Sequence, residues 1–299
     1  MKFAAIDIGS NAVRLLFANV FITNGEAVFK KESLIRIPLR LGEEAFLDGF
    51  VSQSKIEKLG KTMLAFRNLI EATDVVHYKA CATAALREAS NGQEVVEKVF
   101  AASGVKIEII EGSQEANIIY ANHIAQQLDA SKAYLYIDVG GGSTELSFFA
   151  NNQLVKAISF PIGTLKLLNN QVEESDWQPM KKTVLDFKKT YKSIAGIGTG
   201  GNINKLYKLY GDTVQGLINY KQLREAYEHL EGFTYAERVT ILGLKPDRAD
   251  VILPAAEIFL NIMRWADIDT IFVPKIGLSD GIIHLLYEEH RKKQAFLKA

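Results

Sequence analysis

The segment Ile6-Asp7-Ile8-Gly9-Ser10 recurs further along the chain as Ile137-Asp138-Val139-Gly140-Gly141-Gly142-Ser143. Each copy places an acid at the end of a short apolar run and glycine in the turn that follows. Finding one grammar twice, at equivalent places in two longer patterns, constrains the fold more than any other feature, because it reads as an internal duplication. Around the first copy, Phe3 to Ile8, the alternating Val13 to Val20 and the stretch near Ala27 to Ile37 read as three strands. A helix follows Ser52, an N-cap residue type, with Ile56, Leu59, Met63, Phe66 and Leu69 at helical spacing. A strand at Val75 to Ala80, a helix ending near Gly104, a strand at Val105 to Ile110 and a helix from about Gln114 to Leu128 complete βββαβαβα.

The order restarts at Ala133. Tyr134 to Asp138, the glycine turn, Glu145 to Phe149, an Asn151-Asn152 hairpin turn and Leu154 to Phe160 form the second set of strands. A helix around Gln178 to Tyr191, a strand at Ser193 to Ile197, a helical insertion, a helix at Asp250 to Ala266, a strand at Thr270 to Val273 and a helix from Ser279 follow. The expectation is an α/β protein of two duplicated βββαβαβα domains, residues 1–128 and 129–299, with a cleft between them and the last helix able to pack back on the first domain. A length of 299 residues, 48% of them hydrophobic, supports two such cores.

With 35 Lys plus Arg against 35 Asp plus Glu, no global field steers the chain to nucleic acid or to a membrane, so an anion has to be held by local geometry. The lone Cys81 excludes an internal disulfide and a multi-thiolate zinc site, and fits a reducing compartment. The N-terminus reaches Asp7 before a leader-length apolar run accumulates, and no run spans a bilayer. A cytoplasmic protein without nucleic-acid or membrane partners is therefore expected; a homodimer stays open.

Successive glycines allow backbone N–H groups to converge on an anion without steric bulk. Gly140, Gly141, Gly142, Ser143 and Thr144 suit that role, with Ser10 and Asn11 as donors on the other copy. Asp7 and Asp138 point to a divalent cation such as Mg²⁺, held directly or through water. A third loop, Gly196-Ile197-Gly198-Thr199-Gly200-Gly201-Asn202, satisfies G-x-G-x-x-G by spacing. It does not open a first βαβ unit and no acid ends a following strand, so Gly198, Thr199 and Gly200 are read as contacts to phosphate or nucleoside rather than as a dinucleotide fingerprint. The G-x-x-x-x-G-K-[ST] loop and H-E-x-x-H spacing are both absent from the sequence, which removes P-loop and zincin chemistry.

The segments AAIDIGSNAVRLLFA, ATAALREASN, IEIIEGSQEA, YIDVGGGSTELSFF, GIGTGGN and VPKIGLSDGII, in this order along essentially the whole chain, resemble the successive blocks of the exopolyphosphatase / guanosine pentaphosphate phosphohydrolase (Ppx/GppA) phosphatase family. The resemblance implies the actin, Hsp70 and sugar-kinase fold, of ribonuclease H-like type, and removal of a terminal phosphate from polyphosphate or pppGpp by Mg²⁺-assisted attack of water. By the same resemblance, Glu115 of Gln114-Glu115-Ala116 matches the general base and Glu145 the acid that holds water or metal, beside Asp7 and Asp138. Arg87 matches an arginine that contacts phosphate, and Arg14 stands where arginine is frequent. From the residues alone, Glu115 reads first as an ordinary exposed helix-start acid favoured by the dipole, and Arg87 nearly as well as a surface salt-bridge residue. Two departures stand out: Gln114 replaces the first of the paired glutamates, and the further C-terminal domains of the longer exopolyphosphatases have no counterpart in this sequence. The competing readings are a non-catalytic regulator that binds (p)ppGpp or polyphosphate, and an ATP-dependent kinase or ATPase of the same fold.

Overall fold

The computed structural model describes residues 1–120, 129, 132–274 and 276–298. It divides into two compact units, one of Met1–Asn122 together with Leu278–Ala299 and one of His123–Gly277. The last helix, drawn with the second copy by its place in the sequence, thus belongs to the first unit.

The first unit opens with β1 (Lys2–Ile8), β2 (Val13–Thr23) and β3 (Glu26–Ile37), followed by α1 (Leu41–Leu47) and α2 (Gln53–Glu71). Then come β4 (His77–Ala82), α3 (Ala84–Glu88), α4 (Gly92–Ser103), β5 (Ile107–Ile109) and α5 (Gly112–Tyr120). The sheet order is β3-β2-β1-β4-β5. β1 runs antiparallel to β2 and parallel to β4, so β1 is central and both its faces are covered, which is why Phe3 to Ile6 and Ile8 are buried. The Ser52 cap forms as expected, its hydroxyl accepting from the Lys55 N–H. On α2 the buried stripe ends on Ile70 rather than Leu69, which is 40% exposed. The helix expected over Gln114 to Leu128 is seen as α5 to Tyr120; 121–128 lie outside the described residues.

The second unit repeats the plan with β6 (Ala133–Val139), β7 (Thr144–Ala150), β8 (Gln153–Phe160), α6 (Thr164–Leu168), α7 (Glu174–Thr190), β9 (Ile194–Thr199) and α8 (Gly201–Tyr210). After these come β10 (Leu217–Asn219), α9 (Tyr220–Glu231), α10 (Tyr235–Thr240), α11 (Pro246–Ala249), α12 (Ile252–Ala266) and β11 (Thr270–Phe272). Its sheet order, β10-β11-β9-β6-β7-β8, is that of the first unit with β10 added antiparallel at the edge. The two units are duplicated α/β domains with matching strand orders. α12 lies on the core through Ala255, Ala256, Phe259, Ile262 and Met263.

The final helix, α13 (Leu278–Lys298), packs on β1, β2, β4 and α5. His284 stacks on Phe29 at 3.7 Å between ring centroids, Tyr287 meets Phe3 edge-on, and Lys31 pairs with Asp280 at 2.8 Å. Gly281 permits the approach to α5, because a side chain there would run into the Ile118 carbonyl, a backbone group that no rotamer change moves away. Gly281→Ala is expected to destabilise the first unit by about 1–3 kcal/mol, read as a lower urea midpoint with an unchanged slope.

Candidate active site

The two turns after β1 and β6 share two backbone bonds at equivalent positions. Gly9 N–H donates to the Ala12 carbonyl at 3.2 Å, and Gly140 N–H to the Ser143 carbonyl at 2.9 Å. The Ser10 carbonyl accepts from Gly42 N–H at 2.8 Å, and the Gly141 carbonyl from Leu165 N–H at 2.8 Å. Asn11 adds an acceptor for Arg40 N–H at 3.0 Å, and Gly140 one for Thr164 N–H at 3.0 Å. In each copy a short helix, α1 or α6, therefore spends its first N–H groups on the turn's carbonyls. No cis peptide occurs among the described residues. In a planar trans peptide N–H and C=O point oppositely, so the N–H groups of Gly141 and Gly142 face away from α6, as that of Asn11 faces away from α1. Donors on the outer side of a glycine turn are what an anion needs.

Side-chain hydroxyls of the second turn are used within the protein. Thr144, fully buried, donates to the Ile162 carbonyl at 2.6 Å, and Ser143 donates to Glu145 Oε1 at 2.7 Å. At Gly163 a Cβ would fall on the backbone of Gly141 and Gly142, so that glycine is required for α6 to reach the turn.

Strand register places the acids. Across each sheet, Asp7 lies opposite Arg14 and Asp138 opposite Glu145. The third strand of each sheet extends the row, with Arg36 opposite Arg14 and Ser159 opposite Glu145. One row thus reads Asp7, Arg14, Arg36 in the first unit and Asp138, Glu145, Ser159 in the second. Arg14 Nη1 donates to Asp7 Oδ2 at 2.9 Å. Burial outweighs the pull of Arg14 on Asp7 and holds its carboxyl above the usual carboxylate range. The arginine thus serves Asp7 directly, and Asp7 sits in a different unit from Asp138. Glu145, 2% exposed, accepts on Oε1 from both Ser143 and Ser159. Neither Arg36 nor Ser159 was singled out by motif; their signal is cross-strand register, which appears only once β3 and β8 are paired.

Arg87 and Glu115, 28 positions apart in the sequence, are brought together. The Thr83 N–H donates to the Ile8 carbonyl at 3.2 Å, which starts α3 at the end of β1, and Arg87 is on the last turn of α3. Its Nη1 donates to the Ile110 carbonyl at 2.9 Å and lies 3.8 Å from Glu115 Oε2, in the first turn of α5. Glu115 is 9% exposed, so neither the exposed helix-start acid nor the surface ion pair describes this couple. Gln114 is exposed and accepts the Glu111 N–H on its side-chain oxygen at 2.8 Å, a helix-capping bond that an amide makes as well as a carboxylate.

The third loop divides. Gly196 and Gly198 are interior to β9, where any Cβ would press on Ile271, so packing by itself accounts for glycine at both positions. Thr199, opposite Asp138 in the ladder, is 1% exposed, and its Oγ1 has no hydrogen-bond partner among the described residues. Gly200 has φ of 102°, and a Cβ there would approach Asp138 Oδ1 to 3.0 Å, so the loop is wrapped against that carboxylate.

Cys81, opposite Asp7 on β4, is fully buried, and burial pushes its thiol up to about 12. The native thiol keeps its proton where an unfolded one has lost it, so this group's contribution to stability is present below 9.0 and declines as pH rises toward about 12. Iodoacetamide is expected to label Cys81 only on unfolding; labelling of native protein at the rate of a free thiol would contradict its burial.

Each unit is thus an α/β domain with a glycine-containing turn at the end of its central strand and a buried acid beside it. The family model described as the Ppx/GppA phosphatase family matches residues 33–290. The chain belongs to that family, a family of phosphoanhydride hydrolases. Among curated relatives, a "Bifunctional 3-dehydroquinate synthase/phosphatase" of Fusobacterium nucleatum is 30% identical over 90% of this chain, which spans 44% of that protein's length. An "Exopolyphosphatase 1" of Mycobacterium leprae is 23% identical over 95% of this chain and 88% of its own. A "Guanosine-5'-triphosphate,3'-diphosphate pyrophosphatase" of Vibrio vulnificus is 24% identical over 97% of this chain and 60% of its own. Among solved structures, an Aquifex aeolicus member of the Ppx/GppA family aligns with a TM-score of 0.75 at 27% identity, over 97% of this chain and 98% of its own. An exopolyphosphatase from Cytophaga hutchinsonii shares the fold at a TM-score of 0.83 and 22% identity, over 97% of this chain and 98% of its own.

Proposed function

We propose that this chain removes the terminal phosphate from inorganic polyphosphate or from guanosine pentaphosphate by attack of water. The observation that carries this reading is the turn after β6, whose carbonyls are taken up by α6 and whose N–H groups face outward, in a chain of a phosphatase family. Hydrolysis of a phosphoanhydride asks the protein for positioning and charge neutralisation. The turn N–H groups would hold phosphate oxygens, Arg87 would neutralise charge that grows on the transferring group, and Glu115 would take the proton of the attacking water. As the water's oxygen bonds to phosphorus, the bridging oxygen leaves with the rest of the chain. Arg87 Nη1 lies 3.8 Å from Glu115 Oε2, which puts the cation beside the proposed base.

Asp138 and Glu145 face each other across β6 and β7, two carboxylates in one register pair, and like charges so placed repel. Hard oxygen donors in that arrangement suit Mg²⁺, which would supply neutralisation of phosphate charge when bound. Asp138 and Glu145 are the residues proposed to hold it.

No helix among the described residues is long and apolar enough to cross a membrane; we place the activity in the cytoplasm. The test is phosphate release by purified protein with Mg²⁺ from short polyphosphate, long polyphosphate, pppGpp and ATP. Release from one of the first three in preference to ATP supports the reading. Binding of guanosine polyphosphates without release would replace it with a regulator, and acceptor phosphorylation from ATP with a kinase.

A further inference from the structure

Glu145 differs from every other acid described above in receiving two hydroxyl protons on one oxygen. Ser143 reaches Oε1 at 2.7 Å from two residues before it on the turn, and Ser159 reaches the same atom at 2.8 Å from β8, where it is the direct ladder neighbour of Glu145. The donors come from different elements, the turn and β8, so together they fix where the carboxylate sits and how it is rotated. Ser143 cannot be separated from the turn itself, whose backbone it helps close. Ser159 lies off the turn, in a strand, and its hydroxyl is spent on Glu145.

The equivalent row of the first unit gives the contrast. There the position of Glu145 is taken by Arg14, which pairs with Asp7, and the position of Ser159 is taken by Arg36. The serine accompanies the acid in the row where the acid occurs. We infer that Ser159 is a positioning residue, holding the Glu145 carboxylate in the orientation its role requires. This rests on the proposed role of Glu145 in holding a cation or water.

The test compares Ser159→Ala, Ser159→Thr and Glu145→Gln with wild type. Removing a hydroxyl that orients a ligand or catalytic carboxylate is expected to lower kcat about 10–100-fold in Ser159→Ala, with KM for the preferred substrate and the unfolding midpoint unchanged. Threonine keeps the hydroxyl and suits a strand, so Ser159→Thr should recover kcat. A crystal structure of Ser159→Ala should show the Glu145 carboxylate turned from its place, whatever the activity. Wild-type kcat in Ser159→Ala, an unmoved carboxylate, or a kcat loss that merely follows a lowered midpoint overturns the inference. Loss in Glu145→Gln without loss in Ser159→Ala rejects the role of Ser159 alone. Full activity in Glu145→Gln rejects the reading beneath it as well.

Discussion

Glu115→Gln should release phosphate at about 10⁻²–10⁻⁴ of the wild-type kcat, the range that general-base catalysis contributes, while binding polyphosphate or pppGpp with nearly wild-type affinity. The size of the effect follows from what glutamine keeps and loses. It preserves the shape at the first turn of α5 and an oxygen for the attacking water to approach, but it cannot take a proton. Glu115 is almost fully buried, with the Arg87 guanidinium 3.8 Å from its carboxyl. Neutralising it also frees Arg87 from its partner, so substrate binding should not weaken. Steady-state phosphate release together with calorimetric binding separates the two quantities. A kcat within a few-fold of wild type would remove Glu115 from the chemistry and leave it as the counterion of Arg87.

Gly163→Ala is expected to be nearly as damaging, although position 163 lies outside the residue set read from motifs. The added methyl would overlap backbone atoms of Gly141 and Gly142, and these cannot yield by changing rotamer. Either α6 withdraws, giving up the bonds from Thr164 and Leu165 to the turn carbonyls, or the turn shifts and its outward N–H groups move with it. Overpacking of this kind costs about 1–3 kcal/mol. Displacing an anion-holding donor costs about 10²–10³ in kcat. The expected result is therefore a folded protein with a lowered melting midpoint and kcat/KM reduced by at least the latter factor. Wild-type kcat/KM in a folded Gly163→Ala protein would show that the turn's geometry is not used.

Much of this architecture could be read from the sequence because its strongest signals are local. Apolar runs ending in Asp-x-Gly located β1 and β6 and their turns, and the repeat of that grammar gave two domains. The readings that differed depend on distant parts of the chain. α1, α3 and α6 are 7, 5 and 5 residues long, too short to show helical periodicity, yet they fix both turns and Arg87. The pairing of Arg87 with Glu115 runs through the Ile8, Ala82 and Ile110 carbonyls and has no expression as spacing. Gly196 and Gly198 also show why a glycine pattern is ambiguous, because close strand packing and close ligand approach select the same residue. The capping bond from Glu111 N–H to Gln114, which requires only an oxygen acceptor, is likewise something a residue-type comparison does not show. The final helix follows the second domain in sequence, and its place on the first is decided by Phe3, Phe29 and Ile118, far away along the chain.

The opposed rows Asp7-Arg14-Arg36 and Asp138-Glu145-Ser159 bear on how such a chain could have arisen. Two identical half-length polypeptides associating as a symmetric pair must carry the same residue at each address, so a base-paired acid in one and a serine-held acid in the other is beyond them. Joining the halves in one gene removes that restriction, and a cation can then settle at the address where its twin keeps a carboxylate. Present-day halves are consequently no longer interchangeable: a chain assembled from two copies of either one would keep the scaffold and both turns but hold only one of the two charges.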